Sequence, residues 1–383
     1  MAIKPANTVI NELWKQYTGK APIAALTAQD IASFGKDVLS SAENTEKLFN
    51  VLSNMATKTI FTNRPFRINN DIAKDEQAWG IATRRIAINP LKDVENDAEV
   101  WESEDGVDYS PFVQSRLEVN QTLYTKFGQY RIHITVYGKQ LKTAFTGESE
   151  LVAFIDYYTG AVEDQLNVIE FQLNNTAVIA GTALAYKAGT RDENPTKQAV
   201  NLIAAYGAET NDTVTLANWR EKPEFLAWAS KKIGIDKAFI AGMNVNYNSA
   251  NFPRHTSEEH LKLRVLTDFA KSIEYGLYAD TYHEDYVKLE GYKEVAFWQA
   301  ANAPASMSIT ADLQDGDGVQ TVTINNVVAV MFDEDAVGTT IMFDNASSIF
   351  NPRTLTTEMY YHYSRGLFAD PTQNFIVYYM AEV

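Results

Sequence analysis

The residues that could bind metals have spacings that do not support a metal site. Gln314–Val319 (QDGDGV) contains the alternating aspartates of a calcium-binding loop, but in that register the first and last ligand positions fall on Leu313 and Ile324. Both positions need an oxygen ligand, so the calcium interpretation fails. His255 and His260 do not have the spacing that places two zinc-binding histidines on one helical face. We therefore interpret Gln314–Val319 as a hairpin turn and expect no metal and no cofactor.

The other reactive side chains give no catalytic signature. The chain has no Cys, which excludes disulfides, thiol nucleophiles and Cys-based metal sites. It also has no phosphate-binding loop, nucleophile elbow or glycine-rich dinucleotide motif. Asp333, Glu334 and Asp335 are interpreted as a turn, because consecutive strand residues point to opposite faces and cannot jointly hold a cation. His133 occupies the polar register of an alternating strand, which indicates a surface or cross-strand residue.

Composition and charge narrow the classes of function. A chain of 383 residues, 45% of them hydrophobic, is long enough for two or three packed units. Its net charge of −16 argues against a nucleic-acid reader, which needs a basic surface. The N-terminal segment lacks the apolar region of a secretory signal, and no apolar run is long enough to cross a bilayer. We therefore expect synthesis in the cytoplasm and no membrane partner. An acidic cytoplasmic enzyme that uses carboxylates in residues 190–320 is the alternative from another class.

The first third of the chain contains a helical segment and then a long polar excursion. Residues 1–60 carry apolar side chains at helical spacing, which predicts a helix that packs on a distant segment or on a neighbouring chain. In residues 61–119, short alternating β runs surround Arg84 and Arg85. Asp93–Asp108 then holds eight acidic residues and no Lys or Arg. An excursion with so little core usually serves a partner contact, although a solvated acidic loop is the other interpretation.

The middle of the chain predicts strands and one long helix. Apolar and polar residues alternate from Tyr130 to Val136, which predicts a half-buried strand. Apolar residues then recur at steps of three or four from Leu151 to Leu184, and Gly189 is a natural stop. An unbroken helix of this kind spans roughly 50 Å.

Residues 190–320 predict a mixed unit, and the last third of the chain predicts strands. In the mixed unit we expect helices at Ala199–Tyr206, at Trp219–Ile233 with an interruption at Pro223, and at His255–Val265, a buried strand at Ala238–Met243, and strands within Ile273–Leu289. In the last third, β-branched and aromatic runs predict strands at Thr321–Phe332 and Ala336–Phe343. Met359–Tyr363 and Phe375–Tyr379 are separated by turn-forming residues, which predicts a neighbouring antiparallel pair.

The order of these C-terminal elements resembles that of tailed-phage major capsid proteins with the Hong Kong 97 (HK97) fold. The local pattern is Asn326–Thr340 (NVVAVMFDEDAVGTT), followed by Asn-Pro-Arg and the aromatic strands. The likeness extends over most of the chain and implies an α+β, HK97-like fold. It implies an N-terminal helical arm (1–60), an extended loop (61–119), a peripheral domain with strands and a spine helix (120–189), an axial domain (190–350) and a C-terminal β return to the peripheral domain (351–383).

The resemblance also implies a function and partners. It implies a shell subunit that self-assembles into hexamers and pentamers of an icosahedral head around double-stranded DNA, which is contacted only non-specifically. An acidic inner wall would repel packed DNA, although acidity also serves solubility. Portal, scaffold or decoration proteins are further expected partners, and the expected location is the virion after synthesis in the host bacterial cytoplasm. Another self-assembling shell of the same fold, such as an encapsulating bacterial shell, is the alternative within the fold.

Candidate contacts between subunits follow from the same resemblance. Arginines within the extended loop are expected to face carboxylates of neighbouring subunits. The candidate residues are Arg64, Arg67, Arg84, Arg85, Asp93, Glu95, Asp97, Glu99, Glu102 and Glu104. Exposed pairs of this kind give register rather than energy, at below about 1 kcal/mol each. A Lys–Asn crosslink of the type found in some capsids of this fold, through Lys92, is a weak further hypothesis.

Overall fold

Helices and two main β-sheets make up the part of the chain that the computed structural model describes. Those residues are 34–36, 43–44, 47, 72–76, 83–88, 105, 119–125, 127–138, 140, 148–278, 291–313 and 318–382. The elements are β1 (Ala73–Glu76), β2 (Thr83–Ile88), β3 (Val119–Tyr124), β4 (Phe127–Tyr137), α1 (Glu148–Thr190), β5 (Ala199–Asn201), α2 (Leu202–Thr210), α3 (Pro223–Ala241), β6 (Leu261–Leu266), α4 (Thr267–Tyr278), β7 (Tyr292–Val295), β8 (Met307–Asp312), β9 (Val319–Ile324), β10 (Val327–Asp333), β11 (Val337–Asn351), β12 (Thr356–Ala369) and β13 (Phe375–Tyr379). This mixture is the expected α+β class.

Two sheets carry most of the core. The four-stranded sheet has the order β1-β11-β12-β4 and the five-stranded sheet has the order β5-β13-β10-β6-β7. All seven residues of β10 are buried, because this strand lies at the centre of the five-stranded sheet. A central strand covered on both faces needs a continuous apolar sequence, which explains the run VVAVMF. Two smaller pairs, β2–β3 and β8–β9, complete the described sheets.

The long helix α1 crosses both main sheets. It has 43 residues, about 65 Å at the usual rise, and confirms the predicted long helix. A Cβ atom on Gly181 would lie 2.5 Å from Val337 of β11 and 2.7 Å from Phe375 of β13. Glycine therefore allows the helix to approach the point where the two sheets meet.

The chain changes sheets twice near its C-terminal end. It passes from β10 to β11 and β12 in the four-stranded sheet, and returns to the five-stranded sheet with β13. The predicted pairing of Met359–Tyr363 with Phe375–Tyr379 is therefore wrong: the first segment pairs with β11 and β4, and the second with β10 and β5. Since β13 is apolar on both faces, it is stabilised beside the buried β10 rather than beside β12. The change from one sheet to the other therefore does not occur at residue 350, because β11 and β12 belong to the same sheet.

Pro223 has the opposite role to the one predicted. It occupies the first turn of α3 and begins that helix, where a missing N–H costs nothing. The helix then continues to Ala241, so the predicted buried strand at Ala238–Met243 is wrong. Ala238–Ala241 form the last turn of this helix, and Met243 lies just beyond its end.

Three more segments of the 190–320 unit differ from the prediction. Ala199–Tyr206 begins as strand β5 and becomes helical only at Leu202, with Asn201 as the N-cap residue. The predicted helix at His255–Val265 is instead strand β6 over its last part, because β10 offers it an antiparallel partner. Ile273–Tyr278 belongs to helix α4 and not to a strand, and residues 279–290 lie outside the described part. The hairpin turn predicted at Gln314–Val319 is flanked by the antiparallel pair β8–β9, and residues 314–317 of that turn lie outside the described part.

The acidic turn, defined as Asp333–Asp335, joins the two sheets. Asp333 Oδ2 accepts a hydrogen bond of 2.7 Å from the buried Thr256 hydroxyl. Glu334 lies 2.5 Å from His260 Nδ1 and 3.0 Å from Lys262 Nζ, through separate carboxylate oxygens. The first residue of β1 donates its backbone N–H to the Glu334 carbonyl at 2.9 Å. The predicted turn is confirmed, and the carboxylates of Asp333 and Glu334 are bound by the segment before β6 and by β6 itself.

A buried ionic network fixes α1 on the four-stranded sheet. Arg365 of β12 donates to both carboxylate oxygens of Asp344 in β11, one of them at 3.1 Å. Their side chains are only 2% and 9% exposed. Glu170 of α1 lies 3.9 Å from Arg365 and 3.4 Å from Lys74 of β1. Two cations and two carboxylates therefore meet beneath the helix.

The first prediction concerns this network. We expect D344A to lower the free energy of unfolding by about 3 kcal/mol, because it leaves the buried Arg365 with only the more distant Glu170 carboxylate. The control E274A, which breaks the exposed Lys271–Glu274 pair, should cost less than about 1 kcal/mol. Urea unfolding of unassembled subunits measures both. Equal losses in the two variants would contradict the role of the network.

The second prediction concerns the pH response of the acidic turn. The hydrogen bond and charge of Glu334 raise the pKa of His260 above its usual 6.5, and the charge of Glu259 adds a smaller effect. We expect E334Q to lower the pKa of His260, and the control E259Q to lower it less. Because the folded-state pKa is raised, the stabilisation is complete below pH 6.5 and is lost as the pH rises through the folded-state pKa. NMR titration of the imidazole signals tests this, and an unchanged His260 curve in E334Q would refute it.

Candidate assembly surfaces

The β2–β3 ribbon has two faces of opposite character. Its register pairs Thr83 with Tyr124, Arg85 with Thr122, and Ile88 with Val119, and paired residues point to the same side. The ribbon outer face consists of six exposed residues: Arg84, Ile86, Ile88, Val119, Gln121 and Leu123. The four apolar members are between 46% and 53% exposed. The outer face is therefore an apolar surface on a projecting strand pair.

The ribbon inner face is bound to the body of the same chain at its base. The Thr83 hydroxyl donates to Thr340 Oγ1 of β11 at 3.2 Å, and the Tyr124 hydroxyl donates to the Ala369 carbonyl of β12 at 2.6 Å. Burial raises the pKa of Tyr124, the Asp370 charge raises it further, and the Arg85 charge opposes them. The phenol therefore stays protonated and remains a donor over the physiological pH range.

Arg85 makes the largest number of different contacts at this base. Its Nη1 donates to the Asp335 carbonyl at 3.1 Å, and its Nη2 lies 3.5 Å from Asp75 Oδ2. Nη1 is also 4.0 Å from the carboxylate of Asp370. The guanidinium lies over the Phe368 ring at 4.0 Å from the centroid. The arginine thus contacts β1, the acidic turn and the end of β12 together.

Two helices present further apolar side chains to solvent. On α1, Tyr157, Val168 and Phe171 are exposed, and the last two are one turn apart. On α3, Ile235 and Phe239 are exposed and also lie one turn apart, with Met243 just beyond the helix end. Apolar side chains exposed singly are common on protein surfaces, whereas contiguous apolar patches mark interaction sites.

The open face of the four-stranded sheet carries a polar and aromatic cluster. His133 of β4 lies 2.7 Å from Glu358 of β12 and stacks on Tyr360, with ring centroids 4.6 Å apart. Arg131 lies over the same tyrosine ring at 5.8 Å. Hydrogen bonds from Thr135 and His133 lower the pKa of Glu358, so this carboxylate stays charged. The prediction that His133 is a surface, cross-strand residue is confirmed.

The described residues contain no arrangement suited to catalysis by a metal. Among them, no group of three or more His, Asp or Glu side chains is placed to hold a metal ion. No helix in the described part of the chain is both long and apolar enough to span a bilayer. The contacts of the acidic turn are structural, since the carboxylates of Asp333 and Glu334 and the backbone carbonyl of Asp335 all accept from protein donors.

The structure describes only part of the predicted contact residues. Arg84 is exposed on the ribbon outer face, and Arg85 is on the inner face with partners in its own chain. The other candidates lie outside the described residues, and so does Lys92: Arg64, Arg67, Asp93, Glu95, Asp97, Glu99, Glu102 and Glu104. Their place between subunits stays a prediction.

Sequence reasoning missed the apolar residues of the ribbon outer face as a surface. The signal was present, because Ile86 and Ile88 alternate with buried Ala87, but alternation does not show which side meets the protein body. The contact of Tyr124 with the end of β12 had no local signal in the sequence, because the Tyr124–Ala369 hydrogen bond joins residues 245 positions apart.

Comparisons with known proteins agree with this architecture. The chain is similar to the capsid protein in the capsid structure of Staphylococcus phage Andhra, with a TM-score of 0.51 and 10% identity over 82% of this chain and 84% of that chain. It is also similar to a chain in the structure of the head fiber and inner core protein gp22 of native bacteriophage P68, with a TM-score of 0.50 and 11% identity over 83% of this chain and 85% of that chain. At these identities the likeness concerns the fold. A comparison with curated proteins gives no match.

A family model described as Phi29-like phage major capsid protein matches residues 6–379. The match covers nearly the whole chain, so the alternative of an acidic enzyme is excluded. The chain belongs to the Phi29-like phage major capsid proteins, and it is a self-assembling structural component of a tailed-phage virion with the HK97-like fold.

Proposed function

We propose that the subunit forms hexamers and pentamers of an icosahedral head around double-stranded DNA, and that the ribbon outer face is a contact between neighbouring copies. The observation that carries this proposal is the apolar ladder on a ribbon whose other face is bound to its own chain. In a heterologous contact, the ribbon outer face of one copy would meet a different surface patch of the next copy. Repeated contacts of this kind can close into a ring.

The expected energy of this contact is modest. Full burial of an Ile, Leu or Val side chain contributes about 1.5–3 kcal/mol. Four side chains that are already half buried would therefore contribute about 1 kcal/mol each, or about 4 kcal/mol for the ladder. The loss of translational and rotational freedom on association costs at least as much, so the ladder alone would not hold two subunits together. Ring closure multiplies the contact, which supports a stable ring built from individually weak contacts.

The net charge of −16 supports a non-specific relation to the packaged DNA. Phosphates are repelled by an acidic surface, and binding would need a concentration of Lys and Arg. We propose that the shell encloses DNA without holding it. The family match supports portal, scaffold and decoration proteins as proposed partners. It also supports the proposal that the chain is made in the host bacterial cytoplasm.

The division into units is also a proposal. The sheets support a peripheral unit that contains β4, α1, β11 and β12, and an axial unit that contains β5–β7, β10 and β13. Under this proposal, residues 1–60 form the arm and residues 61–119 the extended loop. Residues 120–189 would belong to the peripheral unit and residues 190–350 to the axial unit, except that β11 joins the peripheral sheet. Residues 351–383 would supply the β return, except that β13 joins the axial sheet.

The third prediction tests the ribbon outer face. The variant I86T/I88T keeps β-branched residues and therefore strand propensity, but removes part of the apolar ladder. We expect unassembled subunits to unfold within about 0.5 kcal/mol of the parent, while the yield of shells in sedimentation velocity falls at least about tenfold, which corresponds to 1.4 kcal/mol. The control Q121S changes the same face without removing apolar surface. Normal shells from I86T/I88T would count against the contact.

The fourth prediction concerns the acidic segment 93–108, which lies outside the described residues. If its carboxylates contact neighbouring subunits, its deletion should leave folded subunits that assemble poorly, and negative-stain microscopy should show few closed particles. A solvated acidic loop would give the other result, with normal particles after deletion. A replacement of the segment by a Gly/Ser linker of equal length separates the loss of charge from the loss of length.

A further inference from the structure

We propose that Arg85 is a positioning residue that holds the β2–β3 ribbon at a fixed angle to the body of its own subunit, and that it is not a contact between subunits. This inference rests on the proposed function of the ribbon outer face, because only a ribbon used in assembly needs a fixed angle. It assigns different roles to two adjacent arginines, Arg84 and Arg85, on opposite faces of one strand.

The polar contacts between the described ribbon and the body lie at the base of the ribbon. Thr83, Arg85 and Tyr124 make the polar contacts with β11, the acidic turn and β12. The far end of the described ribbon, at Ile88 and Val119, lies about 17 Å from Thr83 at the usual strand rise. A rotation of about 10° at the base would thus move the far end by about 3 Å, which is enough to lose van der Waals contact with a partner.

Only arginine has the shape for this set of contacts. Its planar group reaches the Asp335 carbonyl, the Asp75 carboxylate and the Asp370 carboxylate while its Cζ lies over the Phe368 ring. A lysine could place one charge there, but it has no planar fork and stacks less well. The side chain is 18% exposed, so a neighbouring subunit would find little of it accessible.

The position of Phe368 is itself fixed. Its side chain is 2% exposed and lies between Arg85 on one side and Tyr124 on another, with the ring centroid of Tyr124 at 6.0 Å. Any side chain on Gly338 would overlap the Phe368 ring and the carbonyl of Ala73. The ring is therefore a rigid platform, held by β11 and β1, on which the guanidinium rests.

The local charges make Arg85 necessary at this place. Asp75, Asp335 and Asp370 surround it, and Asp333 and Glu334 of the acidic turn are close enough to act on Asp335. Burial raises the pKa of Asp335 and the charge of Arg85 lowers it. Without the arginine, carboxylates from three elements would repel one another at the base of the ribbon. The ribbon would then lose its fixed angle, although the sheets would stay intact.

Hydrogen–deuterium exchange on unassembled subunits tests the proposal without depending on assembly. The variant R85M keeps a long side chain over Phe368 but removes the charge and the fork. We expect amide exchange in β2 and β3 to accelerate at least about tenfold while exchange in β10 stays unchanged, and we expect shells to be fewer or irregular in negative stain. R85K should restore part of the protection, because it restores the charge. The matched control R84M should leave exchange in the ribbon unchanged.

Different outcomes separate this inference from the proposed function. Unchanged ribbon exchange in R85M, or equal acceleration in R84M, would overturn the positioning role. Acceleration in β10 equal to that in β2 and β3 would also overturn it, since the residue would then stabilise the whole fold. If R85M does not fold, the same exchange measurement on R85K decides, because full protection in R85K shows that the fork is not needed and refutes the proposal. Faster ribbon exchange in R85M together with normal assembly of I86T/I88T would retain the positioning role and reject the ribbon outer face as the contact.

Discussion

The acidic turn at Asp333–Asp335 is the constraint on which the rest of the structure depends. It connects the central strand of one sheet to a strand of the other, so its geometry decides how the two sheets meet. Carboxylates placed there are costly unless each has a partner. Thr256 binds the first and His260 and Lys262 bind the second, while Arg85 reaches the backbone of the third. These partners come from residues 256–262 and from β2, and Ala73 of β1 donates to the Glu334 carbonyl, so the turn connects three parts of the chain.

The long helix and strand β4 could be predicted because their signals are local and periodic. The partners of the strands could not, because pairing joins residues far apart in sequence: β4 pairs with β12, more than 200 positions later. The run Ala238–Met243 shows the limit most clearly. Its apolar residues satisfy a buried strand and the last turn of a helix equally well, and Pro223 decides between them only once it is known to begin the helix.

The two arginines of β2 show the same limit at the candidate site. The period of a strand implies that Arg84 and Arg85 point to opposite faces, yet both were predicted to contact neighbouring subunits. Which of them faces solvent depends on the acidic turn and on Phe368, and these lie some 250 and 280 positions further along the chain. A sequence therefore identifies a ribbon with two faces, but tertiary contacts decide which face meets a partner. The family resemblance supplied candidate contact residues within residues 61–119, but it did not supply the apolar residues of the ribbon outer face.

Under the proposed function, the physics of assembly explains why one face of the ribbon is polar and bound while the other is apolar and exposed. Subunits that each carry −16 repel one another over about 8 Å at physiological ionic strength, whereas apolar burial acts only at contact. A shell built under these conditions gains little energy from each contact, so misplaced subunits can dissociate before the shell closes. Weak contacts select the correct geometry only if the contacting surface is already in place, because energy spent on ordering a mobile ribbon would exceed the few kcal/mol that its burial returns. Polar, geometrically specific contacts on the inner face and apolar, non-directional ones on the outer face meet both requirements.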